Sequence, residues 1–130
     1  MYGNHYATSQ RWVDQQLDSG FDVILEIDWQ GAEQVRNLHP DACAIFIVTP
    51  SLETLIQRLQ ERAQDDAETI AKRKLEFVEE ITHVAEADFM VVNDDCDTAL
   101  NDIRAIIRSR RLTVMAQQTS QAVLLANLTR

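Results

Sequence analysis

Val23-Ile24-Leu25-Glu26-Ile27-Asp28-Trp29-Gln30-Gly31-Ala32 is the stretch whose reading decides the fold. Val23, Ile24, Leu25, Ile27 and Trp29 make a nearly continuous apolar run rich in β-branched residues. A run of that kind predicts a strand over Val23 to Asp28, buried on both faces as in a parallel sheet. Glu26 and Asp28 interrupt it two residues apart, so in an extended strand both point to the same side. A buried charge is costly unless paired or coordinated. Acids at the C-terminal end of a core strand fit the end at which open α/β sheets bind ligands. The alternative is a strand running out into solvent, with Gln30-Gly31 as its turn.

Working outward, a turn-like, aromatic start over Met1 to Thr8 precedes a helix capped by Thr8 or Ser9. Trp12, Val13 and Leu17 give that helix its apolar face, and Gly20 stands at its C-terminal stop. On the other side, a short helix from about Gln30 to Leu38 is stopped by Pro40. Ala42 to Val48 reads as a second buried strand, with Cys43 as a small core residue. Thr49-Pro50-Ser51 opens a helix with Leu52, Leu55, Ile56 and Leu59 on one face. Asp65-Asp66 opens a longer one striped by Ile70, Phe77, Ile81 and Val84. Phe89 to Val92 is a third buried strand, closing on Asn93-Asp94-Asp95. A helix from about Asp97 then leads into a polar tail with a last apolar patch at Val123, Leu124, Leu125 and Leu128. Strand and helix alternate, which predicts an α/β fold with a parallel sheet, covering helices and right-handed crossovers.

The totals bound the function. A chain of 130 residues is large enough for one domain with its own core. A net charge of −9 argues against a general nucleic-acid coat or an anionic membrane surface as partner. Cys43 and Cys96 lie far apart in no metal-like spacing, and the start is polar, so a cytoplasmic location is expected. His5, His39 and His83 also lack metal-ligand spacing.

Basic residues cluster where an anion could sit. Arg58 and Arg62, four apart, share a helix face. Arg73 falls between Ile70 and Phe77 on the apolar stripe, so it is expected to face inward or across a cleft. Guanidiniums on facing surfaces of a helical hairpin suit phosphate, which they bind with fork geometry. A solvated hairpin paired to Glu61, Asp65, Asp66 and Glu68 is the alternative. Asn93 offers an amide at a strand end, or serves an Asx turn into the last helix.

In combination these stretches resemble bacterial guanylate kinase. The likeness runs through Gly3-Asn4-His5-Tyr6-Ala7-Thr8-Ser9, Leu25 to Ala32, Arg58-Leu59 with Arg62, Ile70-Ala71-Lys72-Arg73, and Val92-Asn93-Asp94-Asp95 with Asp97-Thr98-Ala99-Leu100. Order and spacing are similar from Tyr2 to about Arg111. The resemblance implies a P-loop nucleoside monophosphate kinase fold and transfer of a phosphoryl group from ATP to GMP with Mg²⁺. It implies that Tyr6 touches the GMP phosphate and Thr8 the guanine edge. Glu26 and Asp28 would lie where GMP meets the metal-bound phosphates, Mg²⁺ being carried by the nucleotide near Asp28 with no direct protein cage. Arg58, Arg62 and Arg73 would clamp the transferring group from a lid and its root, and Asn93 would contact the adenine nucleotide. Such catalysis is mainly positioning plus cancellation of charge, for which mobile arginines are apt.

It also implies a division into 1–20, a remnant of the GMP-binding subdomain and linking helix; 21–50, core strands and helix; 51–75, the lid region; and 76–130, core and C-terminal helix. His5, Ala7 and Ala63 depart from residues common in the family, which has Tyr, Gly and Gly there. The family opens with a strand and a Gly-rich phosphate loop, whereas Gly3, Gly20 and Gly31 start no Gly-x-x-x-x-Gly-Lys-Ser/Thr pattern. The chain thus looks like the C-terminal two-thirds of a guanylate kinase, incomplete at the N-terminus. Low turnover by the isolated chain and self-association through an unpaired strand edge are the expected consequences. A non-catalytic guanylate-kinase-like binding module, or an inactive fragment, is the alternative function.

Overall fold

The structure is a computed structural model that describes residues 4–62 and 66–130, with the side chains of 4–9 and 62 outside the description. Helix α1 spans Asn4–Asp18, α2 Trp29–Leu38, α3 Leu52–Arg62, α4 Ala67–Ile81 and α5 Cys96–Arg111. Strands β1 (Ile45–Val48) and β2 (Phe89–Val92) lie between them, and two short helices, α6 (Val114–Ser120) and α7 (Ala122–Leu128), close the chain.

β1 and β2 pair in parallel, Ile45 opposite Phe89 and Val48 opposite Val92. The ladder continues past the strand ends, where Asn93 N–H donates to Val48 O at 2.7 Å. Residues 49–88 connect them through α3 and α4, the long crossover that a parallel pair requires. Among the described residues the sheet has these two strands only.

That small sheet overturns the strand expected over Val23 to Asp28. Residues 21–28 carry no regular structure. Among the described residues no main-chain hydrogen bond to another main-chain group is made by 22–27. A strand exists by virtue of a neighbour's ladder, and among the described residues none pairs with this segment although the apolar pattern is present. Burial on both faces fails for a related reason. Among the described residues each face is covered only in part: Val91 is buried while its partner Ile47 is 51% exposed on one face, and Val48 is buried while Met90 is 57% exposed on the other. The remaining buried apolar residues among those described are Val13, Leu59 and Ala99, one each from α1, α3 and α5. Cys43 is half-buried rather than a core residue.

Helix boundaries follow local chemistry. α1 starts at Asn4, upstream of the expected cap at Thr8 or Ser9, so Tyr6 and Thr8 fall inside the helix. It ends as Gly20 implied, in a Schellman motif: Gly20 N–H donates to Leu17 O and Phe21 N–H to Gln16 O, with Gly20 at φ +90°. Asp66 caps α4 by accepting from Thr69 N–H at 2.9 Å. α4 stops at Ile81, so Val84 belongs to a separate 3₁₀ turn, Val84–Glu86, rather than to the helix's stripe. The expected polar tail is helical instead, since Thr113 accepts from Ala116 N–H and starts α6.

Candidate nucleotide site at the strand ends

Two groups of side chains form at the positions singled out by sequence. The first is built on the turn into α2. Asp28 is its N-cap, Oδ1 accepting from Gly31 N–H at 2.8 Å. Gly31 suits that turn, because a Cβ there would stand 3.1 Å from Ile27 Cβ and 3.3 Å from Asp28 Oδ1. The carboxylate therefore sits at the positive end of a helix, with Oδ2 left outside the capping bond. Glu26 is exposed beside it.

Four residues with no local signature complete this group. Glu80, near the end of α4, accepts from Trp29 N–H at 3.3 Å. Burial raises the Glu80 carboxyl above its usual range, and the nearby Asp28 charge pushes the same way against the Trp29 N–H bond. The His83 ring stacks on Trp29 with centroids 3.6 Å apart and planes 8° from parallel. His83 Nδ1 also contacts Glu86, whose carboxylate lies 3.7 Å from Arg36. Leu25 to Trp29 on one side and Ala44 to Ile47 on the other line a cavity of about 360 Å³, with Arg36, Glu80, His83 and Glu86 among the remaining lining.

The second group lies at the C-terminal ends of the strands. Arg58 on α3 donates to Asn93 O at 2.7 Å and to Asp94 O at 3.2 Å. Two predicted site residues are thus joined, by main-chain acceptors rather than through the Asn93 side chain. The Asn93 amide makes no hydrogen bond among the described residues, so both its donor and acceptor face remain for a ligand edge. The turn expected at this point is made by Asp95, which accepts from Asp97 N–H and from the Thr98 hydroxyl.

Arg73 does not face inward as expected. Arg73 is exposed, and Lys74 takes its anticipated place on the half-buried face with Ile70 and Phe77. The helical period explains the exchange: Ile70, Lys74 and Phe77 are spaced four and three, as regular a stripe as Ile70, Arg73 and Phe77. Neither Arg58 nor Arg73 lines the cavity beside Glu26 and Asp28. The side chains of Tyr6, Thr8 and Arg62 lie outside the described residues. Among the described residues no cluster of three or more His, Cys, Asp or Glu could hold a metal ion.

A parallel α/β unit with a capped acidic turn on one side and an Arg-tied strand end on the other fits the strand-end position at which open α/β sheets bind ligands. Comparison with known proteins gives the class, that of a nucleoside monophosphate kinase. The guanylate kinase family model matches residues 1–110. A guanylate kinase of Hahella chejuensis is 53% identical over 118 residues, covering 91% of this chain and 57% of that protein. One of Methylobacillus flagellatus is 55% identical over 112 residues, covering 86% and 55%. The crystal structure of guanylate kinase from Anaplasma phagocytophilum superposes with a TM-score of 0.65 at 24% identity, covering 82% of this chain and 54% of that one. The chain belongs to the guanylate kinase family. It spans somewhat over half the length of these curated relatives.

Proposed function

We propose that this chain carries the substrate-handling side of an ATP:GMP phosphotransferase. In this reading Glu26 and Asp28 face GMP and the metal-bound phosphates, Tyr6 and Thr8 hold the GMP phosphate and guanine edge, and Asn93 meets the adenine nucleotide. Arg58, Arg62 and Arg73 bring positive charge to the transferring phosphoryl group. The observation that supports it best is the Arg58–Asn93 link, which sets a guanidinium and an uncommitted amide at the C-terminal ends of both parallel strands.

The donor set fits a Mg²⁺ ion carried on nucleotide phosphates. Isolated carboxylates such as Asp28 give few ligands, and Mg²⁺ usually keeps waters and phosphate oxygens as its others. When bound, the ion cancels charge on the phosphates. Asp28 orients the phosphates at the helix start, and Arg58 holds the strand end in register for the Asn93 amide.

Turnover by the 130 residues themselves is expected to be very low, because they contain no Gly-x-x-x-x-Gly-Lys-Ser/Thr loop whose N–H groups would cradle the ATP phosphates. The exposure of Arg73 favours a second reading, a binding module that recognises GMP without transferring phosphate. A cytoplasmic location goes with either reading; among the described residues no helix is long and apolar enough to cross a membrane. Nucleic acid and membrane are not expected partners at this net charge.

Amide chemical-shift mapping tests the proposal. GMP is expected to shift residues 26–31, and ATP with Mg²⁺ to shift Asn93 and its neighbours. Shifts confined to the C-terminal helices would overturn it.

A further inference from the structure

The second half of α5 gathers positive charge on one face, in a chain whose net charge is −9. Arg104, Arg108 and Arg111 stand four and three residues apart, so they share that face with Ile107. Together with Leu112 these residues line a surface cavity of about 360 Å³, and none of them lines the cavity beside Asp28. Arg104 and Arg108 are exposed and make no hydrogen bond or ion pair among the described residues. Like charges at these spacings oppose the helix that carries them. The acids of α5, Asp97 and Asp102, stand neither three nor four residues from any of the three arginines, so the helix supplies no counter-charge. Local needs explain the neighbours: Arg110 donates to Asp41 O at 2.9 Å, Arg111 pairs with Asp22 at 2.8 Å, and cations in the last turn suit the negative end of the helix dipole. Arg104 lies a turn earlier, where none of these explanations reaches. The place is also remote from the candidate nucleotide site. α5 begins just after the C-terminal end of β2 and its 16 residues extend about 24 Å. Its last turn reaches Asp41, ahead of the start of β1, so the cavity lies toward the opposite end of the strands from Asn93.

We infer that this cavity binds a small oligophosphate anion, two or three phosphates in a chain, free or at the end of a nucleoside. Guanidiniums take phosphate oxygens through paired N–H donors. Arg104 and Arg108 bring two uncommitted forks, and Arg111, 67% exposed, adds a third by exchanging Asp22 for the ligand. The three are strung over about 10 Å of helix, a span that suits a chain of phosphates better than one. Ile107 and Leu112 form an apolar floor on which a nucleoside ring can lie. A long polyanion is disfavoured, because the chain's net negative charge repels whatever extends beyond the arginines. The inference uses none of the residues assigned to phosphoryl transfer, so failure of that reading leaves it standing.

Amide chemical-shift titration of the full chain tests it, with inorganic triphosphate and, separately, with uridine triphosphate, both without Mg²⁺. Saturable shifts at residues 104–112 are expected. Tighter binding of uridine triphosphate assigns a nucleotide as the ligand, and equal binding assigns the phosphate chain alone. Arg104→Gln combined with Arg108→Gln should weaken binding by about tenfold or more, since two charge-assisted forks are lost. Lys72→Gln combined with Arg130→Gln removes the same charge elsewhere and should change it by about twofold at most, because salt screens distant charges. Mapping in the unsubstituted chain decides the matter if the double arginine variant fails to fold. No shift at 104–112 with either probe overturns the inference. So do shifts that never saturate, and equal weakening in the two double variants.

Discussion

The Arg58 guanidinium spans two consecutive carbonyls: Nη1 donates to Asn93 O at 2.7 Å and Nη2 to Asp94 O at 3.2 Å. α3 is thereby fastened to the end of β2, and the segment that would meet a nucleotide is held by a residue expected to serve the phosphate itself. A group engaged in this way is positioned by the fold before any ligand arrives, and its charge stays beside the strand ends.

Arg58→Ala should therefore act on stability as well as on function. Charge-assisted hydrogen bonds contribute about 1.5–3 kcal/mol, and partial exposure places the loss near the lower end, about 2 kcal/mol. Arg58→Lys should recover part of it, because an ammonium is a point donor without a fork. Urea midpoints of the three proteins check this.

Asp28 combines a capping bond with a second oxygen outside that bond, and the two roles separate by substitution. Asp28→Ala should cost about 1 kcal/mol through the lost cap. Asp28→Asn should keep most of that stability, because an amide oxygen still caps. On the proposed reading its GMP affinity should fall, since the charge that would face the metal-bound phosphates is gone. Denaturation paired with nucleotide titration distinguishes the two.

Glu80 links pH to stability. Its folded pKa lies above the ordinary glutamate value, with burial as the leading cause. The sign is that of an acid holding its proton more tightly when folded. Its contribution is fully present below the unfolded value and is lost as pH rises through the folded one. Glu80→Gln, which keeps an oxygen for Trp29 N–H, should flatten the stability profile in the region just above the ordinary glutamate pKa. Urea midpoints against pH for both proteins provide the comparison.

The Trp29–His83 stack ties the start of α2 to the end of α4. His83→Ala should lower stability by about 0.5–1.5 kcal/mol and change the Trp29 emission. A Trp12→Phe background leaves Trp29 as the sole tryptophan for that measurement.

Much of the fold was legible in the sequence. α2, α3, β1, β2 and α5 lie close to where periodicity and capping residues put them, and Gly20 ends α1 through the expected motif. What periodicity cannot carry is the identity of a neighbour. The Val23 to Asp28 pattern is that of a buried strand, yet it makes no ladder, since pairing depends on an element far from it in sequence or outside it. Arg73 illustrates a second limit: both Arg73 and Lys74 fit a three-to-four spacing with Ile70 and Phe77, and packing selected Lys74 for the half-buried face. Glu80 and Glu86 were missed as neighbours of the acidic turn for the same reason. Their partners Trp29 and Arg36 stand some fifty residues away, at separations of 51 and 50. His83 was weighed only as a metal ligand, although an aromatic partner was the contact it makes.

Calorimetric titration of the purified chain with GMP tests the central claim, that the capped acidic turn belongs to a guanine nucleotide site. Saturable binding at one site is predicted, weaker by about tenfold (~1.4 kcal/mol) in Asp28→Asn and for AMP in place of GMP. Absence of binding, or equal binding of GMP by the Asp28→Asn protein, would contradict it.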